Sequence, residues 1–515
     1  MKGWRFNQLK SIQTNLFLKN RIIIYNRCMH VHQKIWFTLL IPTLISCTIP
    51  LPTSSSTTIT VTFDTQEGTS VDDQTVLIGG QIEKPNDPTR DGYFFLNWYH
   101  DVPSNPWDFQ QTVTTDLTLY ANWEAEILTP AVMRFNLDIP IDWVIREQYE
   151  VASFSLANTQ TPWLIDQADL QLRGRGNGSS WGYDQRGYRL KFNDELGLFG
   201  EVASRHWVLT PGGHDFGLIR NHAAFMVSKE AMTDIPFTSS SRYVEVYFND
   251  QYHGMYNLFE HVRVDEGRIE IESDYGVLDT GYLLELDAYA TGTDGIDYFY
   301  VQGIRYPFTV KSPEPDEWQG IISEDQFRAQ IAYIQVELQS FVTAVYEGNQ
   351  TQITEQSDLP SIVDMYILHE LFKNTDGGWS SFYLYRPEGG KWTFAPPWDF
   401  DLTAGMSRGD ASTTDLYVAE TILYYSDFTS NEMYLILMSQ AWFVDMVKAR
   451  YVTIHESIAT TVQKLASIQV DYLDAFTRHA NRWYWFGDWQ IIHDQVISWL
   501  LERNVWLFNW ASSTD

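Results

Sequence analysis

The hydrophobic pattern changes once between residue 131 and the C-terminus, and this change limits the folds open to the chain. Up to about residue 312, apolar and polar residues alternate in short runs such as GYRLKF (187–192) and YVEVYFN (243–249), a pattern that predicts β-strands. Three later segments carry apolar residues at helical spacing: 323–347, 359–373 and 432–512. Strands followed by helices predict an α+β domain, and ligands favour the crevice between its two halves.

The first 47 residues indicate export. From Met29, a short basic segment precedes the apolar run 35–45 and the tetrapeptide LISC, which ends at Cys47. The tetrapeptide resembles the bacterial lipobox, which implies a signal segment over 1–47 with a true start at Met29, and a mature chain that begins at a lipidated Cys47. An uncleaved membrane anchor is the alternative, although the apolar run is short for a span of ~20 residues. The Pro/Ser/Thr-rich residues 48–58 predict a flexible tether.

The charge balance excludes one class of partner. The chain has a formal net charge of −31, and residues 1–46 hold seven Lys/Arg and no Asp/Glu, so the remainder carries about −38. Such an acidic protein is not expected to bind nucleic acid nonspecifically. The only cysteines are Cys28 and Cys47, so the folded part has no disulfide.

Residues 59–124 predict a small, separate β unit. Four alternating segments, among them ITVTFDT and LTLYANW, are divided by turn signals. The pattern from Gly92-Tyr93 to Trp98, with Trp107 and Leu119-Tyr120-Ala121, resembles the internalin-type B-repeat, a β-grasp module of bacterial surface proteins. Because one copy is present, the resemblance implies a spacer or adhesion accessory.

A glycine-rich basic hairpin is the first of three pieces that could carry chemistry. In LRGRGNGSSWGYDQRGYRLKF (172–192), glycines allow close backbone approach, and exposed N–H groups can cradle phosphate. The segment has one acid, Asp184, against five basic residues: Arg173, Arg175, Arg186, Arg189 and Lys191. A basic island in so acidic a chain favours a bound anion over surface salt bridges.

The second and third pieces supply carboxylates. Asp376 lies in HELFKNTDGG, where a helix is predicted to end near Asn374, and its alternative role is that of a turn or capping residue. In FAPPWDFD, strand geometry would point Asp399 and Asp401 to one side. Two adjacent carboxylates resist joint ionisation unless a cation neutralises them, and hard oxygen ligands suit Mg²⁺ or Mn²⁺. Pairing with arginine or capping a turn is the alternative explanation.

From residue 131 to about 410 the chain resembles the CotH kinase family, secreted spore-coat-type kinases with an atypical protein-kinase fold. The resemblance is carried, in order, by RGRGNGSSW (173–181), YRLKF (188–192), LIRN (218–221), VEVYFNDQYHGMYNLFEHV (244–262), GYLLELD (281–287), KSPEP (311–315), HELFKNTDG (369–377) and PPWDFD (396–401). It implies a two-lobed kinase-like domain over 131–515, with a β-rich N-lobe and a mainly α C-lobe.

The resemblance also implies roles for individual residues. Asp401 matches the metal-binding Asp, with Asp399 beside it, and Asp376 matches the catalytic-loop acid. Nucleotide contacts are implied for the following residues: Arg173, Gly174, Arg175, Gly176, Asn177, Ser179, Arg186, Lys191 and Arg220. Two departures from the family pattern are Gln185-Arg186 in place of a Lys pair, and Ser381 where a second metal-binding Asn is usual.

The resulting hypothesis is an exported, lipid-anchored protein kinase on the bacterial cell surface. It would use ATP with Mg²⁺ or Mn²⁺ to phosphorylate Ser/Thr of a cell-surface protein. A noncatalytic scaffold or adhesin with a kinase-like domain is the alternative, favoured by Ser381 and the missing Lys pair. A glycosidase using Asp376 and Asp401 would leave the basic hairpin without a role.

Overall fold

The computed structural model separates residues 1–58 from residues 59–515, and the second unit is described below by itself. The structure describes residues 57–176, 181–290, 296–315, 317–374, 376–406, 412–416, 431–483 and 487–513. The predicted signal segment, Cys47 and most of the tether therefore lie outside the described residues. Within them, no helix is both long and apolar enough to cross a bilayer.

The N-terminal β unit is a four-stranded sheet in the order β2-β1-β4-β3. Its strands are β1 (Thr58–Asp64), β2 (Gln74–Leu77), β3 (Tyr93–Tyr99) and β4 (Leu117–Ala125). The first and last strands pair in parallel at the centre, and β3 pairs antiparallel with β4. Val61, Trp98 and Leu119 are buried on one face, so the alternating pattern correctly indicates which residues form the core.

Seven strands then close into a barrel with neighbours in the order β10-β11-β9-β8-β7-β6-β5. They are β5 (Ala131–Leu137), β6 (Glu150–Ala157), β7 (Ile165–Arg175), β8 (Gly187–Leu196), β9 (Ser204–Thr210), β10 (Ser241–Phe248) and β11 (Gln251–Glu260). Every second residue points inward, so that Phe135, Phe154 and Leu190 fill the interior. The intervening side chains of β7 and β8, including the arginines, therefore lie on the outside.

A helix that the sequence does not predict, α1 (Arg220–Ala231), connects β9 to β10. Its polar residues Arg220, Asn221 and Ser228 are buried together with its alanines and Phe225. Because the helix is covered on most sides, it lacks the one-sided apolar stripe on which helix prediction from sequence depends.

The C-terminal half adds a five-stranded sheet and eight described helices. The sheet order is β13-β14-β12-β15-β16, with β12 (Tyr282–Leu286), β13 (Tyr298–Phe299), β14 (Phe308–Ser312), β15 (Phe382–Arg386) and β16 (Thr393–Phe394). The helices are α2 (Glu324–Tyr346), α3 (Gln350–Gln356), α4 (Leu359–Phe372), α5 (Glu432–Met438), α6 (Ala441–Lys464), α7 (Ile468–Asp471), α8 (Leu473–Arg482) and α9 (Trp489–Ser512). The predicted α+β class is confirmed.

One continuous core joins the barrel to the C-terminal half. Val208 and Phe259, on the outer faces of β9 and β11, belong to the same buried cluster as Leu284 of β12 and Phe372 of α4. This packing brings the outer face of the barrel against the second sheet. A cleft lies along the seam.

Candidate active site

The cleft has a volume of about 530 Å³ and is lined by charged residues of both signs. Its basic lining residues are Arg173, Arg175, Arg189, Arg263 and Lys311, and its acidic ones are Glu285, Asp287, Asp297, Glu314, Asp376 and Asp399. Three predicted site residues from the hairpin, Arg173, Arg175 and Gly176, thus meet two predicted carboxylates, Asp376 and Asp399.

The basic wall of the cleft is formed by the ends of β7 and β8. Arg173 lies directly opposite Arg189 in the antiparallel register, and Arg175 opposite Gly187. Arg175 also lies over the ring of Trp398, with its guanidinium carbon 5.4 Å from the ring centroid. In the part of the chain that the structure describes, none of these three arginines is within ion-pair distance of a carboxylate.

A tryptophan packs against the end of β7. The ring of Trp181 packs so closely on Gly174 that a Cβ there would lie 2.2 Å from Cη2 of the ring. The guanidinium carbons of Arg186 and Arg146 lie 4.7 Å and 5.8 Å from a Trp181 ring centroid, within the range of cation–π attraction. Arg146 also donates a hydrogen bond of 3.1 Å to the carbonyl of Gly176. These contacts position Arg175 and Gly176 at the cleft.

The acidic wall centres on Asp399, whose backbone has a φ of 62°. Ser381, at the position where the family usually has Asn, donates from Oγ to Asp399 Oδ2 at 3.2 Å. A side-chain hydrogen bond joins Asp399 to Asp401, which is 7% exposed and does not line the cleft. Burial raises the pKa of Asp399, whereas Arg175 and the hydrogen bonds from Ser381 and Asp401 oppose this rise.

Strand geometry was the wrong basis for predicting this pair. Residues 395–400 form no strand, and Asp399 adopts the left-handed conformation, so a turn and not alternation brings the two carboxyl groups together. The pairing itself is present, and Asp399 rather than Asp401 faces the cleft. A hydrogen bond between two carboxyl groups requires a shared proton, whose place a cation can take. The donor atoms therefore fit a divalent cation.

Phe400, between the two aspartates, anchors the segment in the core. Its backbone N–H donates to Asn221 Oδ1 on α1 at 2.6 Å. The fully buried ring lies 5.3 Å from the ring of His369 and 5.7 Å from that of Phe372, centroid to centroid, and both belong to α4. The hydrogen bond and the two ring contacts of Phe400 thus hold the adjacent Asp399 in position.

Asp376 follows the end of α4. The helix ends at Phe372, two residues before the predicted end, because Lys373 adopts the left-handed conformation with φ 48°. The backbone N–H of Asp376 donates to Asn374 Oδ1 at 2.9 Å, and its carbonyl accepts from the N–H groups of Trp379 and Ser380. The backbone of Asp376 forms the turn, while the residue lines the cleft.

Four predicted nucleotide contacts do not line the cleft. Arg220 is buried in an ion pair of 2.7 Å with Asp215 and donates from Nε to the Thr403 carbonyl, so it braces the site instead. Arg186 lies over Trp181, and Lys191 is two residues beyond Arg189, past the edge of the cleft. Gly174 packs directly against the ring of Trp181. Asn177 and Ser179 lie outside the described residues.

One ion pair in the cleft was not predicted from the sequence. Lys311 of β14 forms an ion pair with Glu285 of β12 at 2.7 Å inside the cleft. Burial alone would lower the pKa of Lys311, but Glu285 raises it overall, so the lysine stays charged. The strands are neighbours in the sheet. The motifs KSPEP and GYLLELD contain both residues, but nothing in the sequence shows that the strands pair.

No group of three or more His, Cys, Asp or Glu side chains suited to a metal occurs among the described residues. A divalent cation at Asp399 and Asp401 would therefore complete its shell with water and with ligand oxygens. Mg²⁺ commonly binds in this way, through one or two carboxylates and substrate phosphates.

Two curated proteins of Evansella cellulosilytica are similar to part of the chain. One, named "Putative membrane protein", is 38% identical over 72 residues, which cover 14% of this chain and 11% of that protein. The other, named "Putative Gly-rich membrane protein", is 37% identical over 70 residues, covering 13% and 8%. This chain spans about a tenth of the length of either relative.

Two family models match, one for each part of the chain. The Listeria-Bacteroides repeat domain matches residues 60–122, which confirms the predicted surface-protein repeat. The model named CotH kinase protein matches residues 172–507, more than half of the chain, and it contains every charged residue of the cleft. The chain therefore belongs to the CotH kinase family.

Proposed function

We propose that this protein is an active kinase that transfers the γ-phosphoryl group of ATP to a Ser/Thr hydroxyl of a protein. The observation that carries the proposal is the opposition of charges in the cleft. Arg175 lies on one wall with no carboxylate of the described residues within ion-pair distance, and the carboxylates of Asp376 and Asp399 face the same space. A nucleotide triphosphate with a divalent cation supplies the missing charges to both walls.

The barrel and the C-terminal half correspond, in this proposal, to the two lobes of a kinase. Asp399, with Asp401 behind it, would hold Mg²⁺ or Mn²⁺ against the phosphates, and Arg175 and the backbone of Gly176 would contact them from the other side. The cation, when bound, neutralises charge on the phosphate oxygens. Lys311, held by Glu285, is a further cation within the cleft.

Asp376 would act on the acceptor. As transfer proceeds, the bond from the γ-phosphorus to the ADP oxygen breaks and a bond to the acceptor oxygen forms. The hydroxyl proton passes to the carboxylate of Asp376, which the turn after α4 holds at the cleft. Ser381 bonds Asp399 where a second metal-binding Asn is usual, so a single metal ion is expected.

Export and lipidation complete the proposal. The predicted lipobox at Cys47, the surface-protein repeat and the names of the two relatives support a membrane-anchored protein outside the cytoplasm. Cys47→Ala should release the protein from the membrane fraction or block its processing. The parent chain is the control. If the variant fractionates and migrates like the parent, lipid anchoring is contradicted.

The test of catalysis is incubation of the purified protein with labelled ATP and Mg²⁺ or Mn²⁺, with or without acceptor proteins, read by transfer of label and by intact mass. Transfer should occur with the parent and be lost in Asp376→Asn, while this variant keeps its affinity for ATP and metal, because the base contacts the acceptor. Nucleotide binding without transfer by the parent would instead favour the noncatalytic scaffold.

A further inference from the structure

Arg173 and Arg189, called here the arginine pair, lie directly opposite each other on β7 and β8, and both line the cleft. Opposed residues in an antiparallel sheet have Cβ atoms about 4.5–5.5 Å apart, and like charges at this separation repel. Burial lowers the pKa of Arg189, as do its cationic neighbours Arg173 and Arg263, yet arginine stays charged in proteins. Such a pair is unfavourable unless an anion compensates it.

Among the described residues, no carboxylate lies within ion-pair distance of either arginine, and Glu314, which acts electrostatically on Arg189, is itself paired with Arg263. Arg173 donates to the carbonyl of Arg146, and the Nε atoms of both paired arginines are buried without a hydrogen-bond partner. The neighbouring cations already have partners, since Arg263 pairs with Glu314 at 2.8 Å and Lys311 with Glu285 at 2.7 Å. Within the described residues the arginine pair therefore has no direct carboxylate partner, since Arg173 lies over the ring of Tyr149 and the acid near Arg189 is shared with Arg263.

The arrangement distinguishes this pair from the groups expected at the nucleotide. In the proposed function the triphosphate lies at the cation of Asp399, and Arg175 is the nearby arginine that acts on the pKa of Asp399. Arg189 instead interacts electrostatically with Tyr149, Glu314 and Arg263. A phosphate monoester carries a charge of about −1.5 to −2 at pH 7, which matches the pair, and the planar guanidinium groups fit its oxygens.

We propose that the arginine pair binds a phosphate monoester on the acceptor, so that the enzyme prefers a polypeptide already phosphorylated near its target hydroxyl. The inference rests on the proposed function, which also supplies the ligand, because each transfer leaves a phosphate monoester on the acceptor. An acceptor with several hydroxyl residues would then be modified in succession. The phosphates of the nucleotide have the same chemistry and are the competing source of the anion.

The test is a binding experiment with the full chain, saturated with Mg²⁺ and a nonhydrolysable ATP analogue. Two peptides are compared that differ in one phosphoserine beside the target serine. The phosphopeptide should bind about tenfold tighter or more, the scale of one charge-assisted hydrogen bond. Arg173→Gln and Arg189→Gln should abolish this difference and change the affinity for the analogue by at most about twofold.

Lys191→Gln is the matched control, because Lys191 lies two residues from Arg189 on the same strand and face but outside the cleft. It should retain the preference. Arg189→Gln removes one of two repelling charges, so without ligands this variant should melt no lower than the parent. A lower melting temperature of Arg189→Gln would show that the pair is compensated within the fold and would overturn the proposal.

Two further results would overturn it. One is equal binding of both peptides by the parent. The other is loss of affinity for the analogue in the arginine variants while the peptide preference persists, which would assign the pair to the nucleotide. Failure of the proposed function appears differently, as absence of metal-dependent analogue binding in the parent, whatever the peptides do.

Discussion

The contact between Gly174 and Trp181 allows a quantitative prediction about the hairpin. A Cβ at position 174 would lie 2.2 Å and 2.3 Å from two atoms of the Trp181 ring, so Gly174→Ala must displace the ring. The ring then loses its contacts with Arg146 and Arg186, each of which contributes about 0.5–1 kcal/mol at an exposed site. If these contacts hold Arg175 in place for the nucleotide, a loss of about 1–2 kcal/mol weakens ATP binding roughly 5- to 30-fold.

A double-mutant cycle separates this effect from a general disturbance of β7. Trp181→Ala should weaken binding of a nonhydrolysable ATP analogue with Mg²⁺ by a similar factor. Adding Gly174→Ala to that variant should cost little more, because the ring that it would displace is gone. The coupling energy is therefore expected to be about 1–2 kcal/mol, measured by titration calorimetry.

The control for the cycle is Trp143→Ala, which removes a tryptophan that is 69% exposed, and it should leave the affinity unchanged. Additive effects of Gly174→Ala and Trp181→Ala would refute the reasoning, since independent losses mean that the two residues do not act through their contact. Unchanged affinity in both single variants would equally refute it.

Two further predictions concern stability. Burial lowers the pKa of His253 and of His479 from 6.5 to about 3. Below pH 6.5 each histidine therefore binds a proton in the unfolded chain but not in the folded protein, and the free energy of unfolding should fall by about 2 kcal/mol per histidine at pH 5. Equal urea midpoints at pH 7 and pH 5 would contradict this. Glu370→Ala leaves the fully buried Arg503 without its carboxylate partner and should lower the free energy of unfolding by about 3–5 kcal/mol. The control Glu324→Ala removes one member of an exposed ion pair and should lower it by under about 1 kcal/mol in the same urea titration. Similar losses in the two variants would contradict this prediction.

The strands were predictable from sequence because one face of the barrel wall packs into the apolar interior and the other lies outside it, so apolar and polar residues alternate. In β8, Tyr188 and Leu190 point inward and Arg189 and Lys191 outward, as alternation requires. Alternation does not indicate how far along the strand the cleft extends, so it could not separate Arg189, which lines the cleft, from Lys191, which does not. That distinction depends on where the second sheet packs.

The site residues that sequence reasoning misplaced depend on tertiary contacts. Arg220 belongs to a helix that is covered on most sides, and its charge is neutralised by a buried ion pair with Asp215. Asp399 adopts a positive φ that nothing in the local sequence demands. The ion pair of Lys311 and Glu285 joins residues 26 positions apart across neighbouring strands. Motif order could therefore indicate which segments meet, but not which side chains face the ligand.

The central claim is that Asp399 holds a divalent cation against the phosphates of ATP, and ligand-dependent melting tests it most directly. For the parent, ATP and Mg²⁺ together, at about 100 times the dissociation constant, should stabilise the fold by about 2.7 kcal/mol. Neither component alone should reproduce this stabilisation. Asp399→Asn should abolish it, while Asp376→Asn should keep it. An Asp399→Asn variant that ATP and Mg²⁺ stabilise as strongly as the parent would contradict the account.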